Sequence, residues 1–346
     1  MSYTNGLDKP SDYFETVLYA GNSGTQSITS LDFQPDWCWF KARNNTDTHA
    51  VFDSVRGVTK RLIPDNSSAE GTQSNGLTHF LSNGFTVGDA GIVNQGYNYV
   101  AWNWKAGTSF TNDASSTGIG TIDSNGSVSS DAGFGIVKWS GTGSAGTIAH
   151  NMGSTPSYLI IKRLSDANWL VQATTLGYGN FLALNTTAAS SSASTLVTGV
   201  SSTLVTLGNN GSVNGSGQDY IGYFFSEKKG YSKFGSYSAN GNAANNTFVY
   251  TGFKVGWVLI KRSSSSGEGW FIFDSTRSPA NLNVNELRAD TSSAETTGSH
   301  YIDFLSNGFK PKTAGAGIGG SGDTYIYMAF AENPFVTSSG VPACAR

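Results

Sequence analysis

The chain of 346 residues is longer than a typical domain of roughly 100–200 residues, so two or three compact units are expected. Its 43 glycines, its aromatic content of 12% and its charged content of only 13% favour short β-strands with polar turns and disfavour helices. The formal net charge is −3 and the basic residues are scattered, so the electrostatic footprint needed for binding nucleic acid is absent from the sequence.

The sequence also indicates the compartment in which the chain is made. No apolar run approaches the roughly 20 residues needed to cross a bilayer, and the first residues lack the basic and apolar regions of a signal peptide. Cys38 and Cys344 form neither a disulfide framework nor a CxxC metal motif. We therefore expect a soluble protein made in a reducing cytoplasm, without insertion into a membrane.

The first copy of a repeated pattern is predicted over residues 11–110, after an N-terminal arm of residues 1–10. It begins with a hairpin-like segment at residues 16–19 followed by a Gly/Asn/Ser turn. A short apolar strand then ends in Lys41, and a second apolar strand begins 58 residues later at Tyr99. We call these two segments the Lys strand and the Tyr strand.

The second copy, predicted over residues 120–230, repeats both strands but has diverged between them. Its Lys strand ends at Lys162, and its Tyr strand again begins 58 residues later, at Tyr220. Residues 136–139, followed by a Gly-rich turn, open this copy as residues 16–19 open the first. The Gly/Ser-rich connections near residues 107–120 and near Gly230 are interpreted as linkers.

The third copy, predicted over residues 231–336 before a C-terminal tail of residues 337–346, resembles the first more closely. Its Lys strand ends at Lys261, and its Tyr strand begins 64 residues later, at Tyr325. Residues 304–309 repeat residues 80–85 without change, as Phe-Leu-Ser-Asn-Gly-Phe. The segment 281–290 fits a helix or a strand, and its pattern does not decide between them.

Alternation along the strands predicts which side chains form the core, because residues i and i+2 of a strand share a face. The Lys strands are apolar on both faces, as expected of central strands that are covered on either side. The sequence therefore predicts an all-β protein of three tandem units, each made of two packed sheets. In the Tyr strands one face is apolar in all copies: Val100, Trp102 and Trp104; Ile221, Tyr223 and Phe225; Ile326, Met328 and Phe330.

Two aspartates are the first candidates for chemistry, because Phe-Asp-Ser-x-Arg occurs at both residues 52–56 and residues 273–277. A carboxylate at a shared position can act as a general acid or base, or as a ligand of Ca²⁺. The alternative is a structural role, in which Asp53 and Asp274 stabilise turns by pairing with Arg56 and Arg277. We favour the structural role, because the second copy lacks this Asp and only Glu70 and Glu295 recur with it.

The other candidate motifs point to structure more than to catalysis. Residues 315–320 match the GxGxxG pattern of dinucleotide-binding folds, but a predicted strand follows where a helix is required, so an inter-strand loop is predicted and no cofactor. Cys38 replaces apolar residues of the other Lys strands and is predicted to be a buried apolar residue. The histidines lack metal-site or triad spacing and are predicted to be solvated: His49, His79, His150 and His300.

The aromatic residues fall into two groups. One group lies on strand positions that are apolar in all copies and is predicted to pack in the core: Trp37, Trp39, Trp102, Trp104 and Trp257. The other lies in less regular surroundings and is predicted to be available for a ligand or partner: Tyr97, Trp169, Tyr178, Tyr231 and Tyr237. No catalytic, cofactor or metal residue is nominated.

Residues 99–107 (Tyr-Val-Ala-Trp-Asn-Trp-Lys-Ala-Gly), residues 325–335 and the Phe-Leu-Ser-Asn-Gly-Phe segments resemble virion structural proteins of marine tailed phages that infect cyanobacteria or pelagic bacteria. The resemblance implies β-sandwiches of jelly-roll or concanavalin-like type, and a location in the virion. It covers the first and third copies, and the second only through its Lys and Tyr strands.

Three functions are open at this point. The first is a tail-fibre or appendage protein that self-associates, as a homotrimer, and contacts other virion proteins or a host surface glycan. The second is a capsid decoration or head-fibre protein. The third is a glycan-degrading appendage enzyme, which requires a pair of carboxylates in a cleft that the sequence does not nominate.

Overall fold

The computed structural model describes residues 7–334, and the chain is all-β, as predicted, with 46% of residues in strands and 4% in helices. Cys344, the tail and most of the predicted N-terminal arm lie outside the described residues. No helix within residues 7–334 is long and apolar enough to span a bilayer. We refer to residues 14–104, 134–225 and 232–334 as the first, second and third copies.

The first copy follows a single 3₁₀ turn at Pro10–Asp12 and consists of nine strands and one helical turn. Its elements are β1 (Phe14–Ala20), β2 (Gln26–Ile28), β3 (Trp37–Ala42), β4 (Ala50–Asp53), β5 (Lys60–Arg61), β6 (Gly71–Thr72), β7 (Leu77–Leu81), β8 (Gly84–Val87), α1 (Gly91–Asn94) and β9 (Asn98–Trp104).

An insert follows the first copy, in the region predicted to be a linker. It contains β10 (Thr108–Asn112), the short helix α2 (Ala114–Thr117) and β11 (Ser124–Ser129). The linker interpretation of residues 107–120 is therefore wrong, because β10 pairs with β11 along its whole length and β11 pairs with the next strand. Neither of the other two copies is preceded by such a hairpin in the described part of the chain.

The second and third copies repeat the order of strands in the first. The second contains β12 (Phe134–Ser140), β13 (Gly146–Ala149), β14 (Tyr158–Arg163), β15 (Leu170–Ala173), a 3₁₀ turn (Thr174–Leu176), β16 (Asn180–Ala183), β17 (Ser191–Ser192), β18 (Val197–Val200), β19 (Leu204–Leu207) and β20 (Asp219–Phe225). The third contains β21 (Ser232–Ser238), β22 (Val249–Tyr250), β23 (Phe253–Arg262), β24 (Trp270–Asp274), β25 (Asn283–Arg288), β26 (Thr296–Leu305), β27 (Gly308–Pro311) and β28 (Thr324–Pro334). The undecided segment 281–290 thus forms a strand.

Each copy contains the same four-strand order in a large antiparallel sheet. The order is β1-β9-β3-β4 in the first copy, β12-β20-β14-β15 in the second and β21-β28-β23-β24 in the third. The Lys strand pairs with the Tyr strand in the same register each time, with Lys41 opposite Val100, Lys162 opposite Ile221 and Lys261 opposite Ile326. The gapless alignment of the sequence segments therefore corresponds to equivalent positions in three dimensions.

A smaller set of three strands covers one face of each large sheet: β2-β8-β7, β13-β19-β18 and β22-β27-β26. The predicted opening hairpin is wrong, because β1 pairs with β9 while β2 pairs with β8. The turn between β1 and β2 instead carries the chain from the large sheet to the small one. Gly21 lies in this turn so close to a neighbouring backbone that a Cβ would be 1.7 Å from the carbonyl oxygen of Gln95.

The two faces of each Lys strand are buried in different clusters, which confirms that these strands are covered on both sides. Cys38 and Phe40 pack against the small sheet of the first copy, in a cluster made only of first-copy residues. Trp37 and Trp39 point to the opposite face, into a cluster that contains side chains from all three copies. We call this second cluster the shared core.

All nine Tyr-strand positions that were predicted to be apolar lie in the shared core. Aromatic rings from different copies are in contact there, with Trp37 4.5 Å from Tyr223 and Phe14 5.0 Å from Phe330 between ring centroids. Trp257 also meets Trp104 edge to face at 5.6 Å. Since aromatic side chains bury large apolar areas, these contacts make the copies depend on one another for stability.

We predict that Trp37→Ala destabilises all three copies together. The substitution leaves a cavity at the meeting point of rings from the first and second copies, so it should lower the free energy of unfolding by about 3–5 kcal/mol. In chemical denaturation, the midpoint followed by tryptophan fluorescence and the midpoint followed by far-UV circular dichroism should shift by the same amount. Tyr178→Ala, at a side chain 47% exposed, is the control and should change stability little. A variant in which the first copy alone unfolds would contradict the prediction.

Candidate site at the interfaces between the copies

The copies are joined by backbone hydrogen bonds that run in a closed cycle. In each copy a loop after the large sheet donates an N–H to the carbonyl at the end of the Lys strand in the next copy. The loops include the Ser-Ser-Ala-Glu segments of the first and third copies. The three bonds are Glu70 to Leu164 at 2.8 Å, Ser190 to Ser263 at 3.0 Å and Glu295 to Arg43 at 2.7 Å.

A ring nitrogen makes a second contact at each interface. Trp169 donates to the carbonyl of Ile63 at 2.9 Å, and Trp270 donates to the carbonyl of Ala183 at 2.9 Å. These two tryptophans stand at the position that His49 occupies in the first copy. His49 Nε2 lies 3.0 Å from the carbonyl oxygen of Arg288 and completes the same cycle.

The tautomer of His49 follows from its two partners. Trp39 Nε1, which can only donate, lies 2.8 Å from His49 Nδ1, so Nδ1 accepts and Nε2 carries the proton given to Arg288. The ring is fully buried, and burial lowers its pKa to about 3. His49 is therefore neutral and structural.

The prediction that the histidines are solvated is wrong for three of the four. His49, His150 and His300 are buried, and only His79 is exposed. His150 Nε2 lies 3.1 Å from the carbonyl oxygen of Ser201, and His300 Nδ1 lies 2.8 Å from a carboxylate oxygen of Glu286. The spacing of the histidines gave no signal for these contacts, because each partner lies at least 14 residues away in sequence.

The lysines that end the Lys strands are fully buried, and carbonyl oxygens surround their ammonium groups. Lys162 Nζ lies 3.3 Å from the carbonyl of Ser67 in the first copy, and Lys261 Nζ lies 3.3 Å from that of Thr187 in the second. Lys41 contacts two carbonyls of its own copy. Burial lowers the pKa of each ammonium to about 8, so all three carry charge at neutral pH. The sequence identified these lysines as strand ends and missed the contacts of Lys162 and Lys261 across the interfaces.

The aspartate of each Phe-Asp-Ser-x-Arg segment is at the centre of a buried ion network. Asp274 Oδ2 lies 2.5 Å from Arg277 Nε, and Arg277 continues to Glu295 at 2.9 Å. Glu295 also binds Arg43 of the first copy at 2.7 Å, and Trp102 of the first copy donates to Asp274 at 3.1 Å. The predicted pairing of Asp274 with Arg277 is confirmed, and the network joins the third copy to the first.

The first copy contains the equivalent network toward the second copy. Asp53 Oδ2 lies 2.6 Å from Arg56 Nε, and Arg56 reaches Glu70 at 3.1 Å. Tyr223 of the second copy donates to Asp53 at 2.7 Å, from the position that Trp102 occupies in the first copy. The partners of Asp53 are N–H and O–H donors, whereas a Ca²⁺ site requires several oxygen ligands around the ion.

The third interface, between the second and third copies, has apolar and small residues in place of this network. Ala173 stands at the aspartate position, Leu176 three residues later stands at the arginine position, and Ser190 stands at the glutamate position. Across the interface, the position of Tyr223 and Trp102 is occupied in the third copy by Met328, which has no hydrogen to donate. The loss of the acceptor on one side therefore matches the loss of the donor on the other.

The buried carboxylates and arginines of these interfaces are paired with one another, whereas several buried ring groups of the shared core, such as Trp104 Nε1 and Tyr231 Oη, have no hydrogen-bond partner among residues 7–334. Within residues 7–334 no group of three or more His, Cys, Asp and Glu side chains is arranged to hold a metal ion. The segment 315–320 is an inter-strand loop before β28, as predicted, and Tyr325 accepts the N–H of Gly320. The buried carboxylates of Asp53 and Asp274 are each paired with an arginine, and their geometry is that of structural ion pairs.

The aromatic predictions are confirmed in one group and mostly wrong in the other. All five tryptophans assigned to the core are buried, as is Cys38. Of the residues predicted to be available, only Tyr178 is exposed, and Tyr97 is half-buried. Trp169 is buried at an interface, Tyr231 lies in the shared core, and Tyr237 stacks on Tyr325 at 5.0 Å.

The chain is thus an all-β protein in which three copies of one strand pattern are held in a closed cycle around an aromatic core. A family model matches residues 9–334, which is most of the chain, and the chain belongs to that family. The family is described as a domain of unknown function, DUF7483. No curated protein matches the sequence.

We predict that Arg56→Leu alone lowers the free energy of unfolding by about 3–5 kcal/mol, because it leaves the buried Asp53 without its charge partner. Asp53→Ala, Arg56→Leu, Glu70→Ser and Tyr223→Met together copy the third interface and should recover most of that loss. Urea denaturation of the single, quadruple and parent proteins measures both effects. If the quadruple variant is no more stable than Arg56→Leu, the proposed equivalence of the interfaces is wrong.

We also predict a pH dependence that arises from His49. Its pKa is lowered from 6.5 to about 3 on folding, so the unfolded chain binds the proton first as the pH falls. The contribution of neutral His49 to the free energy of unfolding is complete above pH 6.5 and is lost progressively as the pH falls toward 3. Between pH 7 and pH 4.5, the free energy of unfolding of the parent should fall by about 2–3 kcal/mol more than that of His49→Gln. Denaturation midpoints at the two pH values test this, with His79→Gln as the control that should behave like the parent.

Proposed function

We propose that the chain is a structural component of a phage virion, in a tail fibre or related appendage, where it serves assembly and attachment to the host surface. The closed cycle of contacts between the copies carries this proposal. The cycle holds the largest aromatic side chains and the buried ion networks in fixed positions. A rigid, all-β block with polar surface loops suits a particle exposed to the environment, and the sequence resemblance points to the same class.

We further propose that each copy is a β-sandwich of jelly-roll or concanavalin-like type. The buried cluster between the large and small sheets of each copy supports this, since two sheets that enclose a core define a sandwich. The units in this proposal are residues 11–110, 120–230 and 231–336, and β10 lies across the end of the first range.

Self-association as a homotrimer is a separate part of the proposal. The described residues already place three equivalent copies around one core, so the chain alone provides a threefold arrangement. Light scattering of the purified protein distinguishes the two cases, because a monomer has a mass of 36.4 kDa and a homotrimer about three times that value.

We predict that electron cryo-microscopy of the intact particle locates this chain in the tail or an appendage. The three copies should be visible as three lobes of similar density, with one lobe carrying the extra hairpin β10–β11. Density spread over the capsid lattice would overturn the appendage proposal and make the chain a decoration or head-fibre protein. Antibody labelling of the same particles provides an independent location.

A further inference from the structure

The insert between the first and second copies forms one wall of a solvent-filled groove of about 630 Å³. The groove crosses the ends of four neighbouring strands, β10, β11, β12 and β20. At about 4.8 Å between strands, its floor is roughly 14 Å long. This size lies in the range of sites that bind small organic ligands.

The insert is fixed in place against the second copy. Thr121 and Ile122 donate their N–H groups to the carbonyl of Thr147 at 2.9 and 3.0 Å, and Thr147 donates back to Thr121 Oγ1 at 2.8 Å. Ile122 is buried in the second copy's own cluster. The groove therefore has ordered walls before any ligand arrives.

The lining of the groove is polar, and several of its groups have unused hydrogen-bonding capacity. Lys138 is half-buried, and within the described residues no hydrogen bond or ion pair holds its ammonium. Its strand neighbour Asn125 is exposed and likewise makes no side-chain hydrogen bond there. Asp219 accepts from Ser140 through one oxygen and Asp123 from the Ala114 N–H through one oxygen, which leaves the second oxygen of each carboxylate open.

The mixture of charges selects the class of ligand. Asp113, Asp123 and Asp219 face the groove together with a single cation, Lys138. An anionic ligand is repelled by the carboxylates, while the carboxylate oxygens accept hydroxyl protons and the ammonium donates to hydroxyl oxygens. An uncharged ligand with many hydroxyl groups satisfies both kinds of partner.

We propose that this groove binds a neutral saccharide of two or three sugar units. Within residues 7–334 the first and third copies have no equivalent of the insert, and the shared core and the cycle of contacts do not use it. A binding role explains why one copy alone carries these extra strands. The inference deepens the host-attachment part of the proposed function and rests on it for its biological meaning, although binding itself is measured on the isolated protein.

The test is saturation-transfer NMR and calorimetric titration of the full-length protein with neutral trisaccharides of glucose, galactose, mannose and N-acetylglucosamine, beside a sialylated and a uronate-containing trisaccharide. At least one neutral trisaccharide should bind, and the acidic ones should not. Asp219→Asn and Lys138→Met should each weaken binding at least about tenfold, because each removes a charged hydrogen-bond partner. Asp131→Asn, an exposed aspartate at the opposite end of the β11–β12 hairpin, should bind like the parent.

A further variant distinguishes loss of binding from loss of folding. Thr111→Trp adds a bulky side chain at an exposed strand position in the groove, where it costs little stability, and should abolish binding while the unfolding midpoint is unchanged. The inference is overturned if none of the neutral trisaccharides binds, if only an acidic one binds, or if the groove variants bind like the parent. Particle imaging tests the proposed function separately, since the chain can lie in an appendage whether or not the groove binds sugar.

Discussion

The burial of one face of each Tyr strand against the other two copies is the constraint on which the rest of the structure depends. Each large sheet is apolar on both faces, and its small sheet covers only one of them. The remaining face carries rings such as Trp104 and Phe225, which are too large and too apolar to be left in water. Three such faces cover one another around a common centre, and the loops at residues 70, 190 and 295 then close the cycle.

The polar interactions at the interfaces provide specificity more than net stability. A buried ion pair recovers little beyond the cost of removing its charges from water, but a buried charge without its partner is strongly destabilising. Asp53 with Arg56 and Asp274 with Arg277 therefore penalise a shifted packing of their copies more than they reward the correct one. The second copy has Ala173 and Leu176 at these positions, so the remaining interface forms without this ion network and keeps its hydrogen bonds to backbone carbonyls.

Much of this fold can be read from the sequence, because the repeat supplies three independent views of each position. The strands, the apolar Tyr-strand face and the pairing of Asp53 with Arg56 follow from alternation and from comparison among copies. The shared core does not follow, because a pattern shows that Trp102 is buried but not which copy covers it. The partners of His49 and Trp169 are backbone carbonyls of another copy, and backbone groups leave no mark on the sequence. The groove escaped prediction because β10, which forms part of its wall, lay in a segment whose Gly/Ser-rich composition resembled that of a linker.

Because the three copies belong to one chain, the number of equivalent binding sites on the molecule need not be three. In an assembly of three identical chains, any substitution appears three times, so every interface and every groove is the same. Here the connections near residues 107 and 230 allow each copy to change alone, and the hairpin β10–β11 occurs once within residues 7–334. Among residues 7–334, the groove beside this hairpin therefore lies on one copy of the three. Multivalent attachment would then arise from the number of chains on a particle and their spacing, and not from the symmetry within the chain.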